Sequence, residues 1–185
     1  IIRRYYTALC DQKQGKVSDD VVYKLEMLMR KAAVKCEERT TVAPALQRDA
    51  ETGNAAAAME LPDGRIVTGK TSDLLGASSA LLLNALKALG GIPSELHLIA
   101  PVVLDPIQHL KVDHLGNRNP RLHTDETLIA LSISAATNPM AEMAMEQLSK
   151  LRGCEVHSSV ILSSVDEKIF RRLGVNVTCE PKYQA

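Results

Sequence analysis

Apolar side chains recur at helical spacing from the first residues: Ile2, Tyr5, Tyr6 and Leu9 share one face, because residues three and four apart are neighbours on a helix surface. After a break at Gly15, a second run opens at Ser18, a residue suited to capping a helix. Val22, Leu25, Met27, Leu28, Met29 and Ala32 give that run a broad apolar face. Two helices this short cannot bury both faces against each other. They are expected to pack on the segment that follows, on a part of the protein upstream, or on a second copy. Residues 1–9 read as the middle of a helix already under way, so an upstream N-terminal portion of the same protein is an expected partner.

From residue 41 the pattern changes. Residues 44–50 predict a short helix, and residues 55–61 and 65–69 predict two strands joined across Pro62-Asp63-Gly64, a turn by its chemistry. Residues 71–89 predict a mostly apolar helix, with Thr71, Ser72 and Asp73 competing for its cap and Gly90-Gly91 at its end. The nearly continuous apolar run 96–104, stopped by Asp105-Pro106, has the pattern of a strand covered on both faces, with a helix over 106–115 after it. Helices follow at 125–136, capped by Thr124, and at 139–151, where Asn138 is the cap and Pro139 the first helical residue. A strand at 155–162, a helix opened by the capping box of Ser164 and Glu167, and a last strand at 175–179 complete the chain. This order predicts an α/β fold: a three-layer α-β-α sandwich with a mixed sheet of about five strands at 41–185, preceded by a small helical segment at 1–40.

Charge narrows the function classes. Lys plus Arg equals Asp plus Glu at 22 each, so no overall positive field attracts nucleic acid or an acidic membrane. Four Tyr, one Phe and no Trp leave the core to aliphatic side chains. Cys10, Cys36, Cys154 and Cys179 are too scattered for a zinc-binding pattern and are expected to be reduced, mostly buried thiols. No apolar run approaches the ~20 residues that span a bilayer, and no signal peptide opens the chain. A cytoplasmic protein is the expectation.

Four segments carry a family resemblance: Lys70-Thr71-Ser72-Asp73-Leu74-Leu75-Gly76-Ala77-Ser78-Ser79-Ala80, Leu115-Gly116-Asn117-Arg118-Asn119-Pro120-Arg121-Leu122-His123-Thr124-Asp125-Glu126, Leu131-Ser132-Ile133-Ser134-Ala135-Ala136-Thr137-Asn138-Pro139 and Leu151-Arg152-Gly153-Cys154-Glu155. The chain resembles the C-terminal part of the bacterial family called domain of unknown function 1846. The resemblance implies an N-terminal portion outside this chain, with its own Gly-rich, nucleotide-loop-like segment, and it implies no particular activity or cofactor. The element order is also similar to the cytidine-deaminase-like topology. The zinc ligands of those enzymes have no counterpart here, since Thr71-Ser72-Asp73 and Asp105-Pro106-Ile107-Gln108-His109 stand at the corresponding places without a cysteine.

Several residues have the chemistry of a site. The stretch from Gly64 to Thr71 fits the phosphate-loop pattern G-x-x-x-x-G-K-[ST], but Arg65-Ile66-Val67-Thr68 is strand-forming and follows a turn, which favours a hairpin. Lys70, with a helix starting at Thr71 and Ser72, can hold an anion through free N–H groups, or can be a solvated lysine beside a capped helix. Asn117, Asn119, Arg121, His123 and Asp125 alternate and would line one side of an extended loop. Arg121 is suited to clamping an anion and His123 to exchanging a proton. The alternative is a polar loop that caps its own backbone. Asp105, His109 and Asp113 are spaced four apart on one helix face, as metal ligands or as an ordinary solvated surface, and no metal is assigned. His97 and His157 read as structural members of strands, and no serine has the frame of a nucleophile.

Lys70, Thr71, Ser72, Asp73, Asp105, His109, Asn117, Asn119, Arg121 and His123 are therefore expected around one pocket for a small anionic, nucleotide-like molecule, with His123 or Asp73 moving a proton. The rival expectation is a non-catalytic module that builds a homo-oligomer and braces the upstream portion through residues 1–40. A true nucleoside triphosphatase would require a glycine-cradled phosphate at residues 64–71.

Overall fold

The turn at residues 62–64 folds β1 (Ala56–Glu60) back on β2 (Ile66–Lys70) as an antiparallel pair, Ala56 opposite Lys70 and Glu60 opposite Ile66. Gly64 supplies the positive φ the turn needs (+87°), and Asp63 accepts hydrogen bonds from Arg65 N and Nε at 3.0 and 2.7 Å. These are residues 1–185 of a computed structural model. β3 (Glu155–Ser158) pairs antiparallel with β1, and β4 (Asn176–Cys179) pairs parallel with β3, giving a mixed sheet of four strands in the order β2-β1-β3-β4. Ala56, Ala57, Ala58 and Met59 are all fully buried. Because successive strand residues face opposite ways, β1 is covered on both sides.

The helices follow from local chemistry. α3 (Val42–Thr52) and α4 (Ala77–Gly90) both pack on β1 and β2. α4 is apolar nearly all round, with Leu81, Leu82, Ala85 and Leu86 fully buried, and it also touches α6 (Thr124–Ser134) and α7 (Pro139–Glu146). Its contact with β2 is close because Gly69 has no side chain. A methyl group there would collide with Leu81 N and Cα and lie 2.8 Å from Ala80 C. This accounts for one glycine of the phosphate-loop pattern by packing, and the observed hairpin excludes the glycine-cradled loop. Asn138 caps α7 as expected, accepting from Met140 N at 3.0 Å. α7 ends at Glu146 and continues only as a single 3-10 turn, Leu148–Leu151. α8 (Ser164–Arg172) is capped by Ser163 rather than Ser164, Ser163 Oγ accepting from Asp166 N at 3.2 Å.

Two expectations are corrected. Residues 96–104 form no strand. Leu98 and Ile99 are buried plugs in an irregular segment, His97 is exposed there, and Pro101 opens α5 (Pro101–His109), which runs into a π-turn at Leu110–His114. Apolar continuity reports burial, which a core-facing loop satisfies as well as a ladder does, and Pro at the first helical position favours a helix start. The second correction concerns residues 71–76, which are a loop; α4 begins only at Ala77, with Gly76 as its N-cap. Ser72 Oγ accepts from Leu74 N and Leu75 N at 3.3 and 3.2 Å. The capping chemistry anticipated for a helix start closes a local turn instead.

Of the N-terminal helices, α1 (Ile2–Lys13) packs on β4, with Tyr6 stacked obliquely on His157 at 4.8 Å between ring centroids. α2 (Asp19–Lys31) joins α1 in a small cluster of Ala8, Val22 and Leu25. Beneath them Arg39 crosses the β3–β4 pair. Its guanidinium donates to Thr178 Oγ1 (2.7 Å), Glu155 Oε2 (2.7 Å), Val156 O (2.8 Å) and Asn176 O (3.0 Å). His157 is fully buried and hydrogen-bonded through both nitrogens, to Thr178 Oγ1 (2.7 Å) and Glu180 Oε1 (2.9 Å). It is a structural histidine, as its place in a strand suggested. No helix is long and apolar enough to cross a membrane.

Candidate functional site

A pocket of about 220 Å³ lies at the carboxyl end of β3, where Ser158 leads into the segment 160–163. The starts of three helices open on it: Gly76, Ala77 and Ser78 of α4, His123 before α6, and Ser163 and Asp166 of α8. Crevices outside the carboxyl ends of strands are where α/β sheets hold ligands, because the helix starts that follow present free N–H groups there.

The loop before α6 supplies the rest. Asn119, Arg121 and His123 line the pocket, while Leu122 between them is buried and bridges Leu75 in parallel. Leu122 also touches the pocket, so the lining runs continuously over residues 121–123 rather than alternating. Asn117 and Asp125 lie outside the lining. Asn119 Oδ1 accepts from Arg121 N at 3.1 Å, and Arg121 Nε donates to Ser72 O at 2.6 Å, so the arginine spans to the loop two residues from Lys70. Thr71 is buried and its hydroxyl accepts from Gln184 Nε2 at 3.2 Å, tying the C-terminal tail across the pocket. Gln108 Nε2 on α5 donates to Asp73 O at 2.9 Å. The ends of β2 and of the 117–123 loop and the flank of α5 are thus brought together, as crossover topology allows.

Other expected members stand apart. Lys70 is half-buried at the end of edge strand β2, and the Asp73 carboxylate is exposed; neither lines the pocket. Asp105 and His109 are on the solvent side of α5, where His109 bridges Asp105 at 3.6 Å and Asp113 at 2.9 Å. The hydrogen bond that His109 Nδ1 donates to Asp113, reinforced by the charge of Asp105, raises the His109 pKa above its ordinary value. No cluster of three or more His, Cys, Asp or Glu side chains is arranged to hold a metal ion.

Four supporting residues carry weak sequence signals. Lys111 looks like one more polar residue of a helix, yet its side chain is 4% exposed and donates to Arg121 O (2.6 Å) and Glu126 Oε1 (2.7 Å). Glu126 also accepts from His123 N at 2.9 Å, closing a capping box that starts α6 at Thr124. Asp166 Oδ1 accepts from Thr124 N and Oγ1 at 2.9 and 2.8 Å, so it caps α6 from α8. Ser78, embedded in an apolar helix, lines the pocket beside Ala77. The capping box is a local feature, but His123 opens it in place of the Ser or Thr of the usual S/T-x-x-E pattern, so the cap expected at Thr124 falls one residue earlier; the other contacts join distant segments. None of the free cysteines lines this pocket, and burial pushes the Cys10 thiol up to about 11 and the Cys179 thiol up to about 12, which keeps them protonated near neutrality.

Fold and pocket define the class as an α/β domain with a mixed four-stranded sheet and a polar crevice at its strand ends. The chain belongs to the family described as domain of unknown function DUF1846, C-terminal, which matches residues 37–185. It is 57% identical over 184 residues to a UPF0371 protein of Corynebacterium efficiens, 54% over 184 residues to one of Corynebacterium glutamicum, and 50% over 184 residues to one of Streptococcus thermophilus. In each case all of this chain is covered, but it spans only 37% of the relative's length.

Proposed function

We propose that this domain binds a small anionic molecule in the pocket at the end of β3, with Arg121 holding negative charge and His123 placed to move a proton. The observation that carries this reading is the convergence of Asn119, Arg121 and His123 on a pocket where three helices begin. At about 220 Å³ the pocket lies below the range of drug-sized sites, ~300–1,000 Å³, which favours a compact metabolite over a whole nucleotide. Lys70, Thr71, Ser72, Asp73, Asp105, His109 and Asn117 belong to the reading as surroundings, of which Ser72 and Thr71 act through Arg121 and Gln184. The three-layer arrangement and the division at residue 40 are part of the same proposal, supported by the burial of β1 on both faces.

The test is a thermal-shift screen of the full-length protein against phosphorylated and carboxylated metabolites. A ligand near 100-fold above its Kd stabilises by about 2.7 kcal/mol, a rise of several degrees that Arg121→Ala should largely remove. Rises that Arg121→Ala and His123→Ala both leave intact place the ligand elsewhere and end the reading.

A homo-oligomerisation or bracing role for residues 1–40 is the second reading. It is favoured by Val21, Tyr23 and Leu28, which are 39%, 61% and 51% exposed on α2; the partner would be a second copy or the rest of the same protein. Light scattering on the full-length protein and on Tyr23→Asp separates it from a plain monomer.

A further inference from the structure

The three helix starts around the pocket differ in one respect. α6 is closed by Asp166 Oδ1, which takes Thr124 N at 2.9 Å, and by Glu126, and α8 is closed by Ser163 Oγ, which takes Asp166 N at 3.2 Å. α4, the longest helix of the protein at 14 residues, has Gly76 as its N-cap, which has no side chain to close it. Gly76 N is bonded to Leu122 O and the first intrahelical bond is Ala80 N to Gly76 O. The N–H groups of Ala77, Ser78 and Ser79 between them have no protein acceptor. Orphan donors at a helix start are ordinary when water covers them, but these residues are only 7%, 3% and 1% exposed. The Ser78 side chain adds a second, independent sign. The residue is only 3% exposed and lines the pocket, and its hydroxyl makes no hydrogen bond within the protein yet is not one of the sealed unpartnered atoms, so it keeps access to the pocket. Ser79 shows the contrast, since its hydroxyl donates to Leu122 O at 3.0 Å.

We infer that the start of α4 is an oxyanion subsite for the phosphoryl group of a hydroxyl-bearing phosphate monoester, a deepening that rests on the pocket reading above. The N–H groups of pocket-lining Ala77 and Ser78, that of Ser79 in the same turn, and the Ser78 hydroxyl lie at the positive end of the helix dipole. That donor number suits the terminal oxygens of a phosphate better than the two of a carboxylate. Arg121 flanks the same pocket and adds charge. Asp166 lines it from α8 and repels an anion, so the phosphoryl end faces α4 and the acceptor-rich side near Asp166 and Asn119 takes hydroxyl groups. The pocket then has a direction, with oxyanion at α4 and sugar-like hydroxyls toward α8.

Calorimetric titration of the full-length protein with inorganic phosphate, ribose 5-phosphate, ribose and malonate tests this. Phosphate and ribose 5-phosphate bind, the latter tighter, while ribose alone and malonate bind at least tenfold more weakly than ribose 5-phosphate. Ser78→Ala removes one hydrogen bond to a charged group and weakens binding on the order of tenfold. Ser78→Asp places a carboxylate on the same N–H groups and abolishes binding, with a melting temperature no lower than that of the parent. If both Ser78 variants bind as the parent does while Arg121→Ala does not, the anion sits on the loop: the pocket reading stands and the α4 subsite falls. Preference for malonate over phosphate overturns the phosphoryl assignment. Binding unchanged in all three variants, or absent in the parent, overturns both.

Discussion

Lys111 Nζ lies 2.7 Å from Glu126 Oε1 and 2.6 Å from Arg121 O, so one buried ammonium joins the π-turn after α5, the 117–123 loop and the first turn of α6. The carboxylate is a quarter exposed and the ammonium nearly sealed. Removing the ammonium leaves Glu126 and the Arg121 carbonyl without their donor beside the 117–123 loop.

Lys111→Met should therefore destabilise the fold by about 3 kcal/mol, the lower end of what breaking a buried pair costs. Urea unfolding measures it. A variant within about 0.5 kcal/mol of the parent, the size of an ordinary surface change, would show that the loop holds itself.

Gly69→Ala should cost about 3 kcal/mol or more, because the added methyl meets the backbone of α4 at Leu81 and Ala80, which cannot rotate away as a side chain can. Gly64 has open space around it but a φ of +87°, so Gly64→Ala should cost only about 1 kcal/mol, from backbone strain alone. Comparing the two unfolding midpoints separates steric from conformational roles within what looks like a phosphate loop.

The Glu180 carboxylate is held below its ordinary pKa, chiefly by the hydrogen bond with His157, against the opposing effect of burial. A depressed carboxylate contributes stability that is present above the unfolded pKa, ~4.3 for Glu, and is lost as pH falls through the folded value. Glu180→Gln should be less stable than the parent by about 1–2 kcal/mol near neutrality. The gap should be constant above pH ~5 and close below pH ~4. A gap that persists unchanged at pH ~3 would assign the loss to packing of the C-terminal tail instead.

His109 titrates above an ordinary histidine because Asp113 and Asp105 favour its charged form. In NMR titrations its midpoint should fall on Asp113→Asn, and fall further in the double variant with Asp105→Asn. A midpoint that does not respond would remove the ion pairs of α5 as its cause.

Helix and hairpin periodicity along the chain, and the turn chemistry of Pro62-Asp63-Gly64, determined α1, α2, α3, the β1–β2 hairpin, α8 and the start of α7 to within a few residues, because spacing and capping are properties of neighbouring residues. The polar loop that carries Arg121 and His123 was likewise visible as a local pattern, and the structure places both residues in the lining of the pocket. What the tertiary structure alone decided lies where burial outranks periodicity. Residues 96–104 had the apolar content of a strand but found no partner for a ladder, and went to a core-facing loop and α5. The start of α4 moved from Thr71 to Ala77 because residues 72–75 are held by Arg121 and Leu122, some fifty residues away. Ser78, Lys111 and Asp166 gain their meaning from contacts between segments far apart in the chain. Hydrogen bonding and desolvation at such contacts depend on position in space, which residue order alone does not contain.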